Sequence, residues 1–108
     1  MILNAIIDDQ VYTLNVPEEF MEQAGDFFDR MDEDMDSGVQ MSREWVGKPT
    51  LNQRCQIAAN KLLTAIENEN ESLGRMMAGY ILKRMPNIDS VQIDTTGDMN
   101  ATIIKLKQ

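Results

Sequence analysis

The run Asp32-x-Asp34-x-Asp36-Ser37-Gly38, continuing to Glu44, is the part of this chain whose spacing comes nearest to chemistry. Carboxylates at alternate positions followed by a glycine open the calcium loop of an EF-hand, in which hard oxygen ligands surround a divalent cation. Asp32, Asp34, Asp36 and Glu44 are therefore the candidate metal ligands. The run then departs from the loop. Its sixth position is Ser37, with Gly38 one place late, and its twelfth is Arg43, with Glu44 one place after it. A solvated, acidic helix end accounts for the same residues, so no metal or other cofactor is assigned.

Other chemistry is sparsely provided for. The chain has no histidine, which removes the commonest general base and the commonest zinc ligand. Cys55, in Gln53-Arg54-Cys55-Gln56, falls on the apolar side of a helix with no imidazole to activate it, and reads as a buried structural thiol. Carboxylates abound, yet no spacing singles out an acid–base pair, so no catalytic residue is named. A protein that binds is expected here, and not an enzyme. A cation-binding protein or small enzyme using the Asp32/Asp34/Asp36 cluster is the competing class.

The element that positions these acids is a helix over Pro17–Asp36. Phe20, Ala24, Phe27, Phe28, Met31 and Met35 recur at helical spacing and make one apolar face. The opposite face holds nine acids against Arg30 alone, a balance of −8 that equals the net charge of the whole chain. Glu22, Asp26, Asp29, Asp32, Glu33, Asp34 and Asp36 are the candidate partner-binding residues on it. Asp32, Glu33, Asp34 and Asp36 crowd the negative end of the helix dipole, where cations are preferred. Either the helix frays near Met31 or something positive sits nearby in the working state.

A β-hairpin over Ile2–Asn15, turning at Asp8-Asp9-Gln10, precedes this helix, and Pro17 suits its first position. Val39–Pro49 reads as a long connection that carries the single tryptophan, Trp45. The indole is expected to pin the connection onto the core; an exposed Trp45 would be a partner anchor. Thr50-Leu51-Asn52-Gln53 is a capping box opening a second helix, whose apolar face runs from Leu51 through Cys55, Ala58, Ala59, Leu62 and Leu63 to Ile66. A third helix follows Asn68–Glu71 and stops at Met85-Pro86. Met31, Met35, Met76, Met77 and Met85 are expected to fill the core where the first and third helices meet, or to form a plastic groove. Ile88–Leu106 reads as a second hairpin turning at Thr95-Thr96-Gly97-Asp98, guarded near its end by Lys105 and Lys107.

With 108 residues and 43% hydrophobic content, one domain spanning 1–108 is expected. The fold class is α+β: a two-layer arrangement of N-terminal hairpin, three helices and C-terminal hairpin, with one antiparallel sheet covered by helices. In a rival arrangement the N-terminal hairpin pairs across a dimer. No stretch is long and apolar enough to span a membrane, and Met1–Gln10 lacks the basic start of a secretory signal. A cytoplasmic location is expected, consistent with one unpaired cysteine. The acidic balance argues against nucleic acid and against anionic membrane surfaces. The partner expected is a protein with a basic surface, and the expected form is a homodimer acting as an adaptor or regulator.

The segments MDEDMDSGVQMSREWV, QRCQIAANKLLTAIENEN and MMAGYILKRMP resemble a small family of bacterial proteins of about this length, a family that brings no function with it. The first seventy residues are also similar to the ZapA family of cell-division proteins, through VYTLNVPEEF leading into an acidic helix and the alanine-rich QIAANKLL. That resemblance implies an oligomer that binds the division GTPase FtsZ. The chain departs from the ZapA pattern after Asn68, where Ile88–Leu106 stands in place of a long coiled coil.

Overall fold

The first strand, Ile2–Ile7 (β1), alternates strictly: Leu3, Ala5 and Ile7 are buried, while Ile2, Asn4 and Ile6 are turned to the other face. It returns as Gln10–Asn15 (β2) through Asp8 and Asp9, both at positive φ (48° and 68°), the backbone of a tight two-residue hairpin. The computed structural model describes residues 1–107. After Pro17 the chain enters Glu18–Gln23 (α1) and Gly25–Asp36 (α2), then a small hairpin of Val39–Met41 (β3) and Glu44–Val46 (β4). Two longer helices follow, Leu51–Glu67 (α3) and Glu71–Arg84 (α4), packed on each other as a pair. Ile88–Gln92 (β5), a 3-10 turn at Met99–Ala101 and Ile103–Leu106 (β6) complete the order.

Both hairpins contribute to one four-stranded sheet, β2-β1-β5-β6, and the α+β class stands. Its two outer pairings are antiparallel, whereas the central pair β1–β5 is parallel, so the sheet is mixed and not wholly antiparallel. The reason lies in where α4 ends. Leu82, Lys83 and Pro86 share a cleft with Met1 and Met21, so α4 delivers the chain to the end of the sheet at which β1 begins. A strand starting there beside β1 must run in the same direction.

Four local expectations change. The acidic helix is two helices, because Ala24 (φ −88°, ψ 2°) breaks the ladder ahead of Gly25, a residue with poor helix propensity. Four helices therefore stand where three were expected. Pro17 is extended and lies just outside α1. The Val39–Pro49 connection folds into the β3–β4 hairpin, turning through Ser42 at φ 56°. The C-terminal strands are joined by a wide connection rather than a tight turn, since Asp94 and Asp98 draw backbone N–H groups to their carboxylates: Thr96 and Asp98 donate to Asp94, and Asn100 to Asp98.

The core is continuous. Leu3, Ala5 and Val91 from the sheet, with Ile93 just past β5, meet Leu62, Met77, Ile81 and Phe28 from the helices. Met31, Met35 and Met77 are buried and Met76 and Met85 partly so, which makes these methionines core filling and not an open groove. Gly79 on α4 admits the Phe28 ring: a Cβ there would lie 3.0 Å from its Cζ. No described helix is long and apolar enough to cross a membrane.

Candidate functional site

The acidic helix end meets its counter-charge inside the fold. Arg54 in the first turn of α3 and Arg84 in the last turn of α4 both reach α2, because the two helices lie side by side with these ends together. Arg54 Nη1 donates to Asp32 Oδ1 at 3.2 Å and to the Asp32 backbone carbonyl at 3.2 Å, and its Nη2 pairs with Asp36. Arg84 Nε donates to Asp32 Oδ2 at 2.9 Å and its Nη2 to Asp29 Oδ1 at 3.0 Å. The buried Tyr80 hydroxyl also donates to Asp32 Oδ1, and the Arg84 guanidinium lies 5.5 Å from the centre of the Tyr80 ring. α2 thus keeps its helical form to Asp36, with cations beside its negative end.

Burial disfavours the Asp32 carboxylate, but the hydrogen bonds from Tyr80, Arg54 and Arg84 outweigh it and hold the group below the usual carboxylate range. Burial and the bond to Asp32 push the Tyr80 phenol upward. Cys55 is fully buried; burial first, and then the Asp32 charge, push its thiol up to about 12. Acceptors and donors in this cluster are matched to one another. Its chemistry is that of an ion-pair clamp between three helices.

The candidate residues therefore fall into two sets. Asp29, Asp32 and Asp36 face Arg54 and Arg84 and are committed to the fold. Glu22, Asp26, Glu33 and Asp34 are exposed to solvent and make no ion pair among the described residues. The calcium-loop reading of Asp32, Asp34 and Asp36 fails geometrically, because they lie on a helix and not in a loop. Asp34 is turned about 200° round the axis from Asp32. Glu44 belongs to the separate β3–β4 hairpin, and among the described residues no three acidic or thiol side chains come together to hold a metal ion.

Trp45 is not pinned into the core; it is 66% exposed. Its indole lies across Gly38, the residue that turns the chain out of α2 at φ +101°, where a Cβ would stand 2.5 Å from the indole Cζ2. The hairpin carrying it is anchored by Ser42. That hydroxyl accepts from the Met99 backbone N–H at 3.0 Å and lies 3.2 Å from both the Gly97 carbonyl and Asp98 Oδ1. A groove of about 520 Å³ opens beside it, bounded by Arg43, Glu44, Thr96 and Asn100.

Sequence reading missed Arg54, Tyr80 and Arg84. The signal available was the acid-crowded helix end itself, which required cations from elsewhere in the chain. No family model, curated protein or solved structure matches this chain.

Proposed function

We propose that this protein is a non-enzymatic adaptor or regulator, working in the cytoplasm, that binds a protein with a basic surface. One observation carries the reading: an exposed tryptophan on an anchored hairpin sits against the end of a helix whose unpaired acids face solvent. Trp45 supplies a large apolar body at low entropic cost, the property that concentrates binding energy at an interface centre. Glu22, Asp26, Glu33 and Asp34 supply a field that speeds encounter and selects partners by charge. Asp29, Asp32 and Asp36 contribute indirectly, by holding α2 in place.

The test is a pull-down from host lysate at low and moderate salt. Wild type runs beside Trp45→Ala and beside a variant with Glu22→Gln, Asp26→Asn, Glu33→Gln and Asp34→Asn. The expected result is a stoichiometric basic partner that salt removes, that the four-residue variant fails to hold and that Trp45→Ala weakens. A partner indifferent to salt and to all these changes would overturn the proposal, as would a blank in every lane.

A further inference from the structure

β2 forms one edge of the sheet, and that edge is unguarded. Val16 N–H donates to the Met1 carbonyl at 2.8 Å, and the Met1 amino group donates to the Val16 carbonyl at 2.7 Å. Two-bond pairs of this kind alternate with unbonded ones along an antiparallel ladder. The register then makes Leu3–Leu14, Ala5–Tyr12 and Ile7–Gln10 the other bonded pairs. The backbone N–H and C=O groups of Val11, Thr13 and Asn15 consequently point away from β1, along the free edge. Gln10–Val16 carries no charge and no proline, in a chain that is 26% charged. The opposite edge, β6, is different: Lys105 lies on it, and Lys107 just beyond donates its N–H to the Asn87 carbonyl at 2.7 Å. On the helix side of β2 runs a groove of about 760 Å³, bounded by Tyr12, Leu14, Ala65, Ile66 and Gly74.

We propose that β2 pairs antiparallel with β2 of a second copy of this chain, about a two-fold axis at Thr13, joining two sheets into one. A two-fold strand pair sets opposite each other residues that share a face. Centring it on Thr13 puts Thr13 opposite itself and Val11 opposite Asn15, so every outward N–H and C=O of the three residues enters a bonded pair. Centring it on Tyr12 instead puts Asn15 opposite Asp9, whose φ of 68° is not extended. In the Thr13 register, Tyr12 of each copy faces Leu14 of the other on the helix side, over the groove. Thr13 faces Thr13 on the open side. Aromatic–aliphatic and Thr–Thr cross-strand pairs are both stabilising.

The occupant is a second copy because this edge is complementary to itself and carries no charge with which to select a basic segment. Like charges meet at the two ends of the pair, where Asp8 and Asp9 of one copy approach Glu18 and Glu19 of the other, and Glu69 and Glu71 line the groove on the helix side beside Arg75. Screening relieves that repulsion, so salt strengthens this association. Salt weakens the acidic-face complex, which keeps the two proposals experimentally separate.

The experiment is sedimentation equilibrium of the full chain over a concentration series at low and high sodium chloride. The expected result is a reversible monomer–dimer equilibrium that tightens with salt. Thr13→Pro removes an outward N–H and no backbone bond of the hairpin; the bond its hydroxyl donates to Asn4 Oδ1 at 3.1 Å is also lost in Thr13→Val, which keeps the N–H and should keep the dimer. Thr13→Pro should weaken the dimer by about tenfold or more, the loss expected for the two axial hydrogen bonds. Thr13→Cys should yield a disulfide-linked dimer on mild oxidation, because Cα atoms of a bonded antiparallel pair lie about 5.5 Å apart, within disulfide reach. Val11→Cys, set opposite Asn15, should remain unlinked. Ile103→Lys, on the open face of β6, should leave the dimer intact. A wild type that is monomeric at every concentration and salt overturns the proposal, as does a dimer untouched by Thr13→Pro. A dimer broken by Ile103→Lys and kept by Thr13→Pro would move the contact to the open sheet face, which also overturns it.

Discussion

Asp32 receives Tyr80, Arg54 and Arg84 from two different helices, and its side chain is 26% exposed. Replacing it by asparagine leaves two partly covered guanidinium groups without their shared counter-charge. Full burial makes such a loss worth more; with this exposure, Asp32→Asn should cost about 2–3 kcal/mol. The urea midpoint should fall with the slope unchanged. The pH dependence has a definite sign. The folded carboxyl lies below its ordinary value of 3.8, so between the two values the unfolded chain holds more protons and stability rises with pH. The Asp32 contribution is whole above about pH 4 and is lost as pH falls through the folded value. Urea titrations below pH 4 should therefore flatten in Asp32→Asn relative to wild type. Cys55, with its thiol pushed up to about 12 and no exposed surface, should resist an aromatic disulfide reagent in the native state and react only as urea unfolds the chain. Rapid native labelling would contradict its burial. The thiol's inertness was legible in the sequence, from its apolar helix face and the absence of histidine. The Asp32 clamp was legible only as a need for positive charge, because its donors lie 22, 48 and 52 residues further on.

The elements most easily read from sequence were those whose local and tertiary preferences agree. The Thr50 cap forms as the spacing requires, with its hydroxyl taking the Gln53 N–H and the Gln53 side chain taking the Thr50 N–H. The hairpin over Ile2–Asn15 and the stop at Pro86 likewise follow local rules. Features decided by distant partners were not legible. The direction of β5 depends on where α4 ends, and the wide connection before β6, shaped locally by Asp94 and Asp98, is also tied down by Gln56. That side chain, buried on α3, donates to the Thr102 carbonyl at 3.0 Å. The β3–β4 hairpin has only three residues per strand, too short for alternation to show, and is held through its turn residue Ser42 to Gly97–Met99, far along the chain. Ser42→Ala keeps a similar backbone constraint at φ 56° and deletes only those hydroxyl contacts. It should cost about 1 kcal/mol. It should also release the hairpin locally, lowering Trp45 fluorescence anisotropy and speeding amide exchange over Met41–Val46 ahead of the core. An unchanged Trp45 signal would show that Gly38 alone seats the indole.

At the scale of the whole molecule, the net charge of −8 is divided between acids that hold the fold and acids that strain it. Asp29, Asp32 and Asp36 are paired internally with Arg54 and Arg84, three acids against two bases. Glu33 and Asp34 occupy the last turn of α2 with no basic residue in that turn and, among the described residues, no ion pair, at the negative end of the dipole. Charges there are unfavourable, and the like pair Asp29–Glu33, four residues apart, adds to the cost. The double change Glu33→Gln with Asp34→Asn should therefore stabilise the protein by about 0.5–1 kcal/mol, although it deletes two exposed charges from a solvent-facing surface. Asp32→Asn, two residues away or less, should act in the opposite direction. Added sodium chloride should raise the wild-type urea midpoint, because screening acts on the exposed, like-charged set more than on pairs whose arginines are largely covered. That rise should shrink in the double variant and persist in Asp32→Asn. If all three proteins responded to salt alike, the acids of α2 would form one undivided field, and the separation into a structural set and a solvent-facing set would not hold.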